Sequence, residues 1–115
     1  MLSTLYFSIT LLLTVRLVDG LTIYVGRVEV LYNGEWSIVC GYGWDWNDAR
    51  VVCDELGFGK VTAAKGDVPY GYRRGPWLYN VNCVGTELSI GNCSRSGWGS
   101  YYCYYAASLR CSSGM

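Results

Sequence analysis

Six cysteines, Cys40, Cys53, Cys83, Cys93, Cys103 and Cys111, follow an N-terminal stretch with no charged side chain before Arg16. The count is even, and a chain of 115 residues makes one domain with a modest core. In an oxidising compartment such a domain is expected to close three disulfides. Unpaired buried thiols in a cytosolic protein are the competing reading. Zinc fits poorly, because the chain has no histidine and lacks the C-x-x-C spacing that zinc sites favour. Spacing alone leaves the pairing open.

The N-terminus reads as an export signal. Leu2, Leu5, Tyr6, Phe7, Ile9, Leu11, Leu12, Leu13 and Val15 make it apolar. A membrane-spanning helix needs roughly 20 apolar residues, and the uncharged run is shorter. We expect a signal over residues 1–14, with cleavage as late as 20, although its first residues lack Lys and Arg. A truncated gene start is the alternative. The domain proper is expected over 15–112, with no transmembrane segment of its own.

Nine basic and nine acidic residues cancel. A neutral chain has no global field to draw nucleic acid, so nucleic acid is not a default partner. The hydrophobic fraction of 51% excludes a disordered polymer.

Val28, Val30 and Tyr32 alternate, as do Trp36, Ile38 and Cys40. Between them Asn33-Gly34 accepts the positive φ angles of a type I′ turn, which predicts a hairpin. Val15 to Val18 is a shorter strand candidate. Trp46, Ala49, Val52, Cys53 and Leu56 recur at helical spacing, with Asp45 or Asn47 as N-cap, Asp48 in the first turn and Gly57 as stop. A helix over 46–56 follows. Phe58 to Gly75 reads as loop and Trp77 to Cys83 as a strand. Thr86 to Ile90 reads as one short helical turn, Gly91 to Ser100 as loop, and Ala107 to Cys111 as a closing strand. One helix among several short strands is an α+β pattern.

The blocks Val15-Arg16-Leu17-Val18-Asp19-Gly20, Gly26-Arg27-Val28-Glu29-Val30 and Asn33-Gly34-Glu35-Trp36 occur in order. So do Val39-Cys40, Gly43-Trp44-Asp45, Asp48-Ala49-Arg50-Val51-Val52-Cys53 and Leu56-Gly57. Trp77-Leu78, Val81-Asn82-Cys83, Gly85-Thr86-Glu87, Asn92-Cys93 and Gly97-Trp98-Gly99 complete the set. In these the chain resembles the scavenger receptor cysteine-rich (SRCR) domain over about residues 15–112. The resemblance implies a small disulfide-rich α+β domain with a curved β-sheet cradling one α-helix. It implies the six-cysteine group A subtype, since Phe58 sits where the eight-cysteine subtype has an extra cysteine. It implies the pairs Cys40–Cys103, Cys53–Cys111 and Cys83–Cys93.

Catalysis is not expected. There is no histidine to act as base, and every cysteine is committed to a bridge. Asp45 with Asp48, and Asp54 with Glu55, read as caps and a solvated helix face. No cofactor is expected, since no Gly-rich loop has a phosphate cradle's lysine and spacing. The resemblance implies a cation site of Cys-Asp-Asp after the first cysteine, with acids between the last two. Here Cys40-Gly41-Tyr42 and Tyr104-Tyr105-Ala106-Ala107-Ser108-Leu109-Arg110 contain no acid, and Tyr79-Asn80 stands where aspartates are common. Asp45 and Glu87 are only weak metal candidates, so binding is expected to be largely independent of calcium.

Aromatics occupy these positions instead. Trp98, Tyr101, Tyr102, Tyr104 and Tyr105 crowd around Cys103, and Arg73-Arg74 lies between tyrosines and glycines. Packing over the disulfide accounts for most of the aromatics, with one or two exposed. Tyrosine supplies rigid contact area with a polar tip, and arginine forks match carboxylate, sulfate or phosphate. The seven residues are therefore ligand-binding candidates. Asn92-Cys93-Ser94 is a formal glycosylation sequon, but a bridged middle residue argues against its use.

The leading expectation is a secreted or cell-surface ligand-binding module that recognises extracellular proteins or polyanionic surfaces, with a scavenger-receptor-like, innate-immune role. A non-catalytic accessory domain, or fragment of a larger mosaic receptor or protease, is the alternative. A small toxin is a weaker third reading, which the neutral charge disfavours.

Overall fold

The computed structural model describes residues 14–74, 77–95, 97–99 and 102–114. The expected signal segment lies outside the described residues apart from Thr14. Strand β1 (Val15–Val18) pairs antiparallel with β2 (Val25–Tyr32), which pairs in turn with β3 (Glu35–Ile38). Asn33 and Gly34 join β2 to β3 with φ of 51° and 83°, the double left-handed geometry of a type I′ turn. One end of β2, residues 25–27, pairs with β7 (Tyr102–Cys111), and β7 pairs with β4 (Val61–Arg74). The five-stranded sheet runs β1-β2-β7-β4, with β3 on β2. A two-stranded sheet pairs β5 (Trp77–Tyr79) with β6 (Gly97–Gly99).

Helix α1 (Trp46–Glu55) lies over the core. Asp45 caps its start in a reciprocal box with Asp48, each carboxylate accepting the other's backbone N–H at 3.0 and 2.8 Å. Gly57, at φ 77°, ends it, and Phe58 N–H donates back to Cys53 O at 2.9 Å. Ala49, Val51 and Val52 are fully buried against Val28, Val30, Val39, Leu78 and Leu109. Each large aliphatic side chain buried in this way contributes roughly 1.5–3 kcal/mol.

The other face of β2 is charged. Buried Glu29 accepts from Arg16 at 2.7 Å and from Arg27 at 3.0 Å, while Arg27 also reaches Asp19 at 2.8 Å. The Arg16 guanidinium lies 4.0 Å from the Trp36 ring centroid. A buried carboxylate is tolerated here because two guanidiniums satisfy it.

The structure corrects six local expectations. Residues 61–74 form a strand rather than loop. Gly66, Pro69 and Gly71 read as turn residues, but β4 is a sheet edge with shifts of register between Lys65 and Val68 and between Pro69 and Arg73. Edges and bulges accept such residues. The strand from Trp77 stops at Tyr79, because Asn80 turns left-handed at φ 54°. Thr86 to Ser89 is not helical: Glu87 gathers the loop N–H groups and Ser89 is extended, so the helical turn is a 3₁₀ turn at Ile90–Asn92. The 91–100 loop contains β6, and β7 begins at Tyr102, well before Ala107. Lastly, Trp46 is 54% exposed and lies outside the core, although Asp48 and Ala49 in the same turn are fully buried.

Candidate functional site

Cys40 positions the site. Residues 39–41 leave β3 and run between the two sheets. On one side Cys40 pairs with Ala106, Ala107 N–H donates to Val39 O and Gly41 N–H donates to Tyr105 O, both at 2.8 Å. On the other side Val39 bridges to Leu78, and Cys40 N–H donates to Leu78 O at 2.8 Å. The result is one continuous ribbon: β4, β7, residues 39–41, β5, β6. The Cys40–Cys103 disulfide, with Cα atoms 6.0 Å apart, pins its middle.

The sequence-predicted binding residues converge on this ribbon. In backbone register Arg73 opposes Cys103, Arg74 opposes Tyr102 and Pro69 opposes Tyr105. Trp98 pairs with Leu78 two strands away. Tyr104 and Tyr105 are 47% and 42% exposed. Tyr101 lies outside the described residues, as do the side chains of Arg73, Arg74, Trp98 and Tyr102. Successive strand residues project to opposite faces, so Tyr104 and Tyr105 flank β7 on its two sides. Sequence reading missed a third ring: Tyr42, exposed and next to the Gly41–Tyr105 hydrogen bond. The signal was present, because Tyr42 replaces an acid of the family motif.

Gly41 has a structural reason to be small. A Cβ there would run into the Gly66 carbonyl, and a Cβ on Gly66 would run into the Gly41 carbonyl. The two backbones touch where β4 shifts register. No side chain, acidic or otherwise, fits at position 41 without moving the edge strand.

The weak metal candidates are otherwise engaged. Asp45 caps α1. Glu87 accepts N–H bonds from Val84 at 2.8 Å, Gly85 at 2.9 Å and Thr86 at 3.1 Å, and these donors, Val84 first, hold it below the ordinary carboxylate range. Glu87 also lies close to the sulfurs of Cys83 and Cys93. Those two atoms are bonded to each other, so they offer no thiolate ligand.

Asp48 does more than its first-turn position suggested. Fully buried, it also accepts from Cys83 N–H at 2.7 Å, tying α1 to the loop closed by Cys83–Cys93. Burial pushes its carboxyl up from 3.8 to about 7, against the pull of the Cys83 and Asp45 N–H donors. Glu55 makes a second tie, to Ser89 Oγ at 3.2 Å and Ile90 N–H at 3.1 Å. Burial raises its pKa as well. The third disulfide, Cys53–Cys111, joins α1 to the end of β7.

A sheet and one helix, cross-linked by three disulfides and carrying an aromatic tip and structurally engaged acids, make a small disulfide-rich α+β domain. The family model of the scavenger receptor cysteine-rich domain matches residues 18–112, and the chain belongs to that family. It is 50% identical over 84 residues to galectin-3-binding protein of Bos taurus, covering 72% of this chain and 15% of that protein. It is 40% identical over 107 residues to macrophage scavenger receptor types I and II of Mus musculus, covering 90% and 23%. The chain thus spans less than a quarter of the length of either relative. Among solved structures, the third SRCR domain of murine neurotrypsin superposes with a TM-score of 0.72 at 35% identity, covering 86% of this chain and 95% of that one. The dimeric form of the SRCR domain of mouse MARCO gives 0.68 at 40% identity, covering 84% and 93%.

Proposed function

We propose that this chain is a secreted or cell-surface recognition module that binds extracellular proteins or polyanionic surfaces through the aromatic tip around Cys40–Cys103, and that it performs no catalysis. The observation that carries this reading is the convergence on one ribbon end. Exposed Tyr104 and Tyr105 follow Tyr102 and Cys103, which pair with Arg74 and Arg73, and exposed Tyr42 follows Gly41, whose N–H donates to Tyr105 O. Aromatic anchors bring contact area at low entropic cost, and arginines bring anion recognition. Two relatives are themselves named for binding, one as a galectin-3-binding protein and one as a scavenger receptor. Export by residues 1–14 and an innate-immune role belong to the same reading, and three disulfides suit an oxidising compartment. Among the described residues no helix is long and apolar enough to cross a membrane.

Binding through this tip is independent of calcium, because Gly41 and Tyr42 replace the acids and Asp45 and Glu87 serve the backbone. The test is affinity for dextran sulfate in chelator, in calcium and across a salt series. Equal affinity in chelator and calcium is expected. The combined Arg73→Ala and Arg74→Ala change should remove most of the salt dependence, since exposed charges are screened over roughly 8–10 Å. Complete loss of binding in chelator, with no effect of the arginine change, would overturn the reading. The alternative, an accessory domain of a larger mosaic protein, is favoured by the small share of each relative that the chain spans. A full-length transcript encoding further domains would support it.

A further inference from the structure

A cleft on the far side of the domain takes no part in the tip. It lies between α1 and the chain that leaves it, lined by Trp46, Arg50, Asp54, Phe58 and Lys60, with Cys53 of the Cys53–Cys111 disulfide among its walls. Its volume is about 640 Å³, within the usual range of small-ligand sites. We propose that this cleft is a binding site for an acidic sugar, a saccharide unit carrying a carboxylate or sulfate.

The walls are held in place. Trp46, Arg50 and Asp54 are four residues apart along α1 and share one face. Opposite them the Phe58 ring is held edge-on to Tyr24, with centroids 4.8 Å apart at 70°. The flanking backbone is strapped to the tail by Gly59 N–H to Ser112 O at 2.9 Å and Ser112 N–H to Lys60 O at 2.7 Å. Preorganised walls lower the entropic cost of binding.

The chemistry selects the ligand. Arg50 and Lys60 are exposed, and among the described residues neither has a side-chain hydrogen bond or ion pair. Two unpaired cations in one cleft call for an anion, and the guanidinium fork fits a carboxylate or sulfate edge. Asp54 tells against a bare polyanion, which it would repel. It suits a ligand that brings hydroxyl donors together with its negative charge. Trp46, 54% exposed, offers a broad apolar face for the C–H side of a sugar ring. A sugar acid meets all three demands within one ring, whereas an acidic peptide must spread them over several residues.

The test uses the ¹⁵N-labelled chain titrated with three tetrasaccharides: one of alternating glucuronate and N-acetylglucosamine, one sulfated, and one neutral. An acidic peptide of similar length is the fourth arm. We expect saturable shifts of the Trp46 indole N–H and of the backbone at 58–60 with one or both charged sugars. The arm that binds tells carboxylate from sulfate. Arg50→Ala should weaken binding at least tenfold, and Trp46→Ala severalfold. Both positions are exposed, and unchanged thermal unfolding would show that the fold survives. The Arg73→Ala, Arg74→Ala chain should bind as the parent does, which separates this site from the tip. Equal response to the neutral sugar, tighter binding of the peptide, no effect of Arg50→Ala, or loss in the Arg73→Ala, Arg74→Ala chain would each overturn the proposal.

Discussion

The two ends of β7 are each pinned by a disulfide, yet they present opposite surfaces. At Cys103 the strand reaches a tip where Tyr42, Tyr104 and Tyr105 are each about half exposed. At Cys111 it closes behind a concave cleft where charge of both signs lines the wall. The difference arises from what packs beside each bridge. The tip lies beside the place where two glycines, Gly41 and Gly66, let backbones meet without side chains between them. The cleft forms because α1 stands off from the segment that leaves it, with long side chains lining the gap. A disulfide fixes where two elements meet, and the neighbouring residue sizes decide whether the junction projects or recedes.

Removing the bridges separates their contributions. Loop-closure entropy assigns about 4 kcal/mol to a bridge such as Cys53–Cys111, which spans 58 residues, and about 3 kcal/mol to Cys83–Cys93, which spans 10. Urea midpoints of the paired Cys→Ala variants should therefore fall further for the longer loop. The reverse order would mean that Cys83–Cys93 depends on native contacts beyond loop closure.

Gly41→Ala should cost about 3 kcal/mol, since its methyl meets the Gly66 backbone rather than a movable side chain. Gly41→Asp should destabilise similarly, and its melting temperature should be the same in calcium and in chelator. A calcium-dependent rise in that variant would show that the edge strand yields and that the tip can regain a cation site.

Asp48→Ala should cost about 2 kcal/mol, because it orphans the buried Cys83 N–H and half of the capping box. The same residue sets a pH dependence. Its folded pKa, about 7, lies above its ordinary 3.8, so the stability it contributes is fully present below that lower value and is lost as the pH rises through about 7. The parent's urea midpoint should fall between about pH 4 and pH 7, and Asp48→Asn should flatten that fall. An equal slope in both proteins would assign the effect to Glu55 instead.

Tyr104→Ala and Tyr105→Ala should change stability least, by about 0.5 kcal/mol, while weakening binding of dextran sulfate. If stability falls by several kcal/mol instead, the rings serve packing, and the contrast between tip and cleft narrows.

Much of the architecture was legible because it rests on local rules. Asn33-Gly34 dictates its turn through backbone φ, and Asp45, Asp48 and Gly57 bound the helix through caps that need only near neighbours. The family motifs carried the sheet-and-helix arrangement, and with it the six cysteines in three bridges. What the residues alone could not reveal was non-local. β4 read as loop because its glycines and proline are penalised in a strand interior but tolerated at an edge, and edge position is a property of the assembled sheet. The buried tie from Asp48 to Cys83 spans 35 residues, and the contact of Gly41 with Gly66 joins segments that only pairing with β7 brings together. Trp46 followed the helical period of the core yet lies outside it, because periodicity specifies a direction around the helix and not which distant segments pack there. Local chemistry in the sequence determined the β2–β3 turn, the helix and its caps. Only the tertiary structure decided which side chains were left uncovered, because exposure depends on neighbours far away in the chain.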